Sequence, residues 1–429
     1  MSSTDLDANI DEDVCEWRVV RARDTSGWHL QQKNIFNSFL PPGFPILLDE
    51  RSGIVCEPVL LYLYDQFVKR GISNFVRNTA WAYACDLKHW LDHLEEFGKT
   101  WTQVTQFDLD SYLKFLDGAS SPLTGRTYST RTKERRRIAI AQFYAWWREQ
   151  GLVANDAGDK ALVRVSSENK RRRLLAKENK RVSVLQKNQA SELFARFGPV
   201  PSEWSCHKPD ATSRDRLYAD IALYAGLRIS EVRSLKTSDF RGFRNADIPD
   251  YARKSVSIVG KGGVWRNAKF PGRLIHQILA YIDGERAYIV NRAGARSTEA
   301  LILNPLSANS YAGRQPSVRT IERRFAAACV DAGLFRVETI ERLDWGAKGD
   351  VQTNTTRFNV PLFVFHDLRH TYAVWTYYIR KRYEEEPWLD ISACLGHANV
   401  ETTIRIYLRC ANEFEAEVSD TYMEAINAK

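Results

Sequence analysis

At 429 residues, 44% of them hydrophobic and 12% aromatic, the chain is long enough for two or three domains with real cores, and its net charge of +8 favours a polyanionic partner. With no apolar run of membrane-spanning length and no basic segment leading into an apolar one, the composition argues against a membrane or secreted protein and predicts a cytoplasmic one. Seven scattered cysteines without a Cys-x-x-Cys argue against a disulfide frame or a zinc site, and the lone pair Cys206-His207 has no second pair at ligand spacing.

Residues 1–55 begin acidic (Asp5, Asp7, Asp11, Glu12, Asp13, Glu16) and become Pro- and Gly-punctuated in FLPPGFPILLDERSG, an extension of unassigned role. Residues 56–159 carry a helical pattern. In NTAWAYACDLKHWLDHLEEFG, Trp81, Ala84, Leu87, Leu91 and Leu94 recur at helical steps, and Gly98 stops the run. A second helix, QFDLDSYLKFL, follows Thr105. The third, STRTKERRRIAIAQFYAWWREQG, opens with Arg131, Lys133, Arg135, Arg136 and Arg137 and continues into a stripe (Phe143, Trp146, Trp147) expected in a core. Like charges on one helix repel by roughly 0.2–0.5 kcal/mol per pair, a strain that a phosphate backbone would relieve. Residues 160–187 form a basic linker that includes Lys170, Arg171, Arg172 and Arg173. Such a run is ordinarily solvated, and between two nucleic-acid-facing domains it would track phosphates.

The last domain spans residues 188–429. Ser213–Tyr224 reads as a helix leading to Gly226, with Arg228 just beyond and Glu231 placed to orient it. Val256 and Ile258 alternate before Gly260-Lys261-Gly262-Gly263, which marks a hairpin and not a P-loop, since no helix follows. Lys269 is a lesser basic candidate on the same hairpin. Val318, Ile321, Phe325 and Ala328 lie at helical spacing before Gly333, and residues 335–360 read as an irregular polar insertion that contacts DNA or a partner. In FHDLRHTYAVW, His366, Arg369 and His370 are spaced i, i+3, i+4 and share one helix face. Two imidazoles and a guanidinium on one face repel unless an anion sits opposite, and a phosphodiester suits the fixed donors of arginine. His397 follows Leu395-Gly396, and Tyr407 lies on what reads as a separate helix. Each piece alone is ordinary: a solvated face, a helix end, a half-buried tyrosine. Together they supply an anion holder, proton-moving imidazoles and a hydroxyl nucleophile.

The order Gly-Leu-Arg-Ile-Ser-Glu, Gly-Lys-Gly, His-x-Leu-Arg-His-Thr and Leu-Gly-His…Tyr resembles the tyrosine recombinase (phage integrase) family, closely in the last domain and loosely in the helical block. The resemblance implies a mainly α fold with a small β-hairpin or sheet, in which an N-terminal helical core-binding domain grips DNA opposite an α-rich catalytic domain. It implies a site-specific recombinase or integrase, acting for a mobile element as a tetramer on double-stranded DNA, through a 3′-phosphotyrosyl intermediate and without metal, ATP or cofactor. Accessory or sibling recombinases stay open.

On that reading Arg228 and Arg369 hold the non-bridging oxygens with His397 as a further donor, and Tyr407 attacks. His366 exchanges protons near the nucleophile, for which an imidazole pKa of about 6.5 is suited. In the family resembled, the lysine at the place of Lys261 is the general acid, and a histidine at the place of His370 commonly accompanies the arginine; a structural role for His370 stays equally open. Tyr407 lies one residue further from His397 than the family's usual spacing, which would turn a continuous helix by about 100° unless a loop before Thr402 absorbs it. Tyr422 is the second candidate nucleophile. The acidic tail, residues 412–429, resembles segments that dock on a neighbouring protomer, and capping its own domain is the alternative. Competing readings are a type IB topoisomerase or hairpin resolvase with the same chemistry, and a DNA-binding regulator that has lost catalysis. A metal-dependent nuclease is disfavoured, because no carboxylate cluster accompanies the histidines.

Overall fold

The computed structural model describes residues 17–22, 40–50, 52–69, 77–121, 127–153, 182–208, 211–260, 263–294, 298–345, 351–381, 387–396, 400, 401, 403, 404 and 407. The chain divides into two compact units, residues 1–179 and 180–429.

In the first unit, β1 (Trp17–Arg21) pairs antiparallel with β2 (Pro45–Asp49), setting Val19 opposite Leu47. Among the described residues the α-helices that follow are α1 (Glu57–Tyr64), α2 (Arg77–Glu96), α3 (Gln106–Gly118) and α4 (Thr130–Glu149). Pro58 opens α1, where a missing N–H costs nothing. Asp108 caps α3 by accepting from the Thr105 N–H at 2.8 Å, and the Ser129 hydroxyl accepts from the Thr132 N–H at 3.2 Å to start α4. The helical stripe of α2 is buried as its spacing requires, from Ala84 through Leu87 and Leu91 to Leu94, while Trp81 lies at its edge under the Arg21 guanidinium. Phe143 and Trp147 are core residues; half-buried Trp146 donates its indole N–H to Asp65 at 2.9 Å.

Residues 1–55 are not wholly an appendage. Phe44 and Leu47 are fully buried in the same core as Tyr62, Leu87, Trp90 and Phe143. Leu47→Ala should therefore lower unfolding stability by about 2–5 kcal/mol, the cost of a cavity in a packed core. A urea midpoint unchanged from wild type would show instead that the hairpin is dispensable.

The second unit is organised around α6 (Arg214–Ala225), which is buried on nearly every side from Leu217 to Ala225, as a central helix must be. Around it lie α5 (Lys187–Phe194), α7 (Ile229–Ser234), the hairpin β3 (Arg253–Val259) and β4 (Trp265–Pro271), α8 (Gly272–Tyr281), α9 (Ala287–Ala293) and α10 (Val318–Asp331). α11 (Phe365–Lys381) packs along α6, and α12 (Trp388–Leu395) packs along α11. Ile321, Phe325 and Ala328 of α10 face the core as their spacing implied. Residues 182–187, assigned to the linker by composition, enter this unit: the Leu185 N–H donates to Thr371 Oγ1 at 3.0 Å.

One reading is corrected. Residues 335–345 and 351–361 pair as a regular antiparallel ribbon, β5 (Phe335–Trp345) and β6 (Val351–Pro361), with Thr339 opposite Arg357. The ladder forms from backbone bonds, and at its base the apolar alternation is short (Phe335 and Val337; Phe358 and Val360), while Thr, Asn and Glu fill much of the rest.

Candidate active site

The site begins where α6 ends. Gly226 adopts φ +66°, and a Cβ there would stand 2.5 Å from the Tyr372 ring, so the chain turns where only glycine fits. The turn brings Arg228 to the N-terminus of α7, where its own N–H donates to Glu231 Oε2 at 2.8 Å and its Nη1 to Oε1 at 2.9 Å. Glu231 is 2% exposed and collects two further guanidiniums. Arg266 of β4 donates to Oε2 at 2.8 Å, and Arg369 of α11 approaches the same oxygen at 3.7 Å.

Arg369 is 1% exposed. Its Nη1 donates to the Gly226 carbonyl at 2.5 Å and its Nη2 to the Leu395 carbonyl. Two helix C-termini, those of α6 and α12, thus turn carbonyls onto one guanidinium, the favoured pole for a cation. Burial pushes the Arg369 pKa down to about 10 and the Arg228 charge pushes the same way, so the group stays cationic at neutral pH. Three guanidiniums against one carboxylate leave a local surplus of positive charge, which is what an anionic ester would meet.

Burial alone would raise the Glu231 pKa, but the Arg266 hydrogen bond, the Arg228 N–H and the charges of Arg266 and Arg369 hold it below its ordinary value of 4.5. A depressed carboxyl stabilises the fold fully above its unfolded pKa, and that stabilisation is lost as pH falls through the folded one. Acid unfolding of the wild type should therefore steepen below about pH 4.5, whereas Glu231→Gln should lose that part of the slope. Parallel acid titrations of the two proteins would count against the assignment.

Tyr407 is 1% exposed and packs among Tyr372, Ala373, Tyr377, Trp388, Ile391 and Leu395. Its hydroxyl lies 2.9 Å from His370 Nδ1. The His366 and His370 rings stand edge to face with centroids 4.7 Å apart, so the i, i+4 pair does share one face beside the tyrosine. The Tyr407 phenol also lies within electrostatic reach of Arg369. The ring that meets the hydroxyl is His370, the histidine for which the sequence left a structural role open.

The structure brings together Arg228, Glu231 and Arg369 on one side and His366, His370 and Tyr407 on the other. Lys261, His397, Tyr422 and the basic run Lys170, Arg171, Arg172, Arg173 lie outside the described residues, as does the tail. The β3–β4 hairpin does reach the site, for a Cβ on Gly260 would stand 3.6 Å from Glu231 Oε1. Lys269 bonds Ser255 Oγ at 2.7 Å. Arg266 was missed. Its signal was strand alternation, which puts it in phase with buried Ala268 and Phe270 and out of phase with exposed Trp265.

In the first unit, the basic turn of α4 is balanced internally. Arg135 holds Asp86 through two bonds of 2.7 and 2.9 Å, Lys133 pairs with Asp117 at 2.6 Å, and Arg137 pairs with Glu134 at 3.1 Å. Arg136 is 8% exposed under the Tyr128 ring. Like-charge repulsion on α4 is thus relieved by carboxylates of the same unit, and Arg131 is left exposed.

The sequence profile described as "Phage integrase family" matches residues 184–413, and "Phage integrase, N-terminal SAM-like domain" matches residues 61–151. The chain is 27% identical over 233 residues to a tyrosine recombinase XerC of Mycobacterium tuberculosis, covering 54% of this chain and 67% of that protein. It is 24% identical over 342 residues to a tyrosine recombinase of Thermosipho africanus, covering 80% of this chain and 92% of that one. Among solved structures, XerH site-specific recombinase bound to a palindromic difH substrate aligns with TM-score 0.49 at 17% identity, covering 80% of this chain and 79% of that one. Since the family profile spans more than half of the chain, over the residues that form the arginine, histidine and tyrosine cluster, the protein belongs to the phage integrase family of tyrosine recombinases, enzymes of DNA cleavage and strand transfer.

Proposed function

We propose that the protein is a site-specific recombinase of double-stranded DNA that cleaves and rejoins strands through Tyr407, assembles as a tetramer on its sites and serves a mobile element. The observation that carries this reading is the Tyr407 hydroxyl on His370, within electrostatic reach of a guanidinium that shares Glu231 with two others. Arg228 and Arg369 neutralise the non-bridging oxygens as charge builds on the phosphorus centre. His370 takes the phenolic proton, with His366 beside it as the partner in proton exchange, because a phenol pKa of about 10 needs such help at neutral pH. The Tyr407 oxygen forms a bond to phosphorus as the bond to the 5′ oxygen breaks, and that oxygen takes a proton from Lys261. The 3′-phosphotyrosyl bond conserves the energy of the diester, so a second strand's 5′ hydroxyl can reverse the step without ATP. Guanidiniums supply all the charge neutralisation, so this route calls for no metal.

The helical unit and the basic run would hold the duplex through phosphate contacts, with Arg131 an exposed member of the α4 cluster. The test is a nicked suicide duplex carrying the element's own ends, incubated in EDTA. A denaturant-stable protein–DNA adduct is expected; tight, site-specific binding with no adduct would sink the enzymatic reading for this chain and leave a regulator. Strand exchange between two sites, rather than relaxation of supercoils alone, separates recombination from topoisomerase action.

A further inference from the structure

Arg266 has no place in the chemistry just described, yet its surroundings are as constrained as those of Arg369. It lies on β4 opposite Ile258, on the inward face of the hairpin, and only 11% of its side chain is exposed. Its Nη2 donates to Glu231 Oε2 at 2.8 Å, and its Nη1 donates to the Cys394 carbonyl. Arg369 makes the neighbouring pair of contacts, to the same carboxylate oxygen and to the next carbonyl, Leu395. Two guanidiniums side by side therefore grip Glu231 at one end and the last turn of α12 at the other. Gly396 completes the arrangement. It adopts φ +63°, and a Cβ there would fall 2.5 Å from Arg266 Cδ, so the glycine of Leu-Gly-His makes room for this arginine.

We infer that Arg266 is a positioning residue for strand transfer. It holds Glu231 in the orientation that aims Arg228 and Arg369, and it ties the hairpin to the end of α12, so that the guanidiniums stand ready before an ester arrives. A buried carboxylate that loses one of three cationic partners rotates toward the remaining two and pulls them from their aim. The inference rests on the recombinase reading above.

The test uses the full-length protein and two suicide duplexes, one with an ordinary scissile diester and one with a methylphosphonate there. Replacing a non-bridging oxygen by methyl removes the negative charge that the guanidiniums must neutralise, so their aim matters less. Arg266→Met should slow adduct formation on the diester by about 10–100-fold, as for other groups that orient a reacting shell. On the methylphosphonate the deficit relative to wild type should nearly vanish. Arg266→Lys, which restores the charge on Glu231 but cannot reach both partners, should fall between. Site-specific binding by gel shift should be unchanged in both variants. An equal deficit on the two substrates would overturn the inference, since a damaged fold slows both alike, and so would full activity of Arg266→Met on the diester. If wild type itself forms no adduct on either duplex, the recombinase reading fails first and this inference falls with it.

Discussion

Tyr407→Phe is expected to abolish covalent attachment to DNA, by at least about 10⁴-fold, while site-specific binding stays within a few-fold of wild type. The substitution removes one oxygen from a side chain that is otherwise fully packed. Its ring keeps every apolar neighbour, so loss of adduct cannot be ascribed to a collapsed cavity. What disappears is the hydroxyl at 2.9 Å from His370. The measurement is single-turnover adduct formation on the suicide duplex, with thermal unfolding run beside it. An adduct that persists in Tyr407→Phe would move the nucleophile elsewhere, with Tyr422 the first to be replaced. The register of the chain between His397 and Tyr407 is thereby tested as well, because only a tyrosine whose hydroxyl reaches the site can carry the strand.

Arg369→Ala is expected to damage fold and chemistry together. The side chain is buried, so its loss leaves the Gly226 and Leu395 carbonyls without their donor and weakens the neutralisation of Glu231. Breaking a buried charged network from one side costs about 3–5 kcal/mol. Removing a donor from the oxyanion-holding set costs about 10²–10³ in rate. Arg369→Lys separates the two effects. An ammonium restores the positive charge, but one nitrogen cannot span two carbonyls at the ends of two different helices. Stability should recover in part, as read from the urea midpoint, while cleavage should stay at least about 10-fold down. A lysine variant that matches wild type in both would mean that charge alone, and not the fork of donors, is what the site requires.

Much of this molecule can be read from local pattern. The α2 stripe, the turn at Gly226 and the shared face of His366 and His370 follow from spacing within one helix or one turn, and the structure places them as spacing demands. What escaped reading depends on pairing across the chain. Asp86 and Arg135 meet between two helices, and nothing within either segment announces the bond that balances the α4 turn. Glu231 gathers Arg228 from its own turn, which was foreseen, and Arg266 and Arg369 from remote elements, of which the first was overlooked. Alternation in WRNAKFP would have flagged Arg266 as inward-facing, and an inward-facing arginine demands an acidic partner. His370 and His366 could not be ranked by sequence, since both share the face; only the position of the Tyr407 hydroxyl distinguishes them.

The ribbon of β5 and β6 has a consequence for how this chain tolerates change. It leaves the body at Leu334 and returns at Leu362, and the Leu362 N–H bonds the Leu334 carbonyl at 2.9 Å. The described strands branch off at that rung, and just beyond it Phe365 opens the helix that carries His366 and Arg369. Val337, Thr339, Thr355, Arg357 and Asn359 of its described part lie exposed and bury nothing of the α6 core. Doubling the length of such a branch costs only about 0.6 kcal/mol of closure entropy. The ribbon is accordingly the natural place for length variation among relatives, and for a grafted peptide or label, because its exposed positions add nothing to the α6 core, although β6 itself packs against α10.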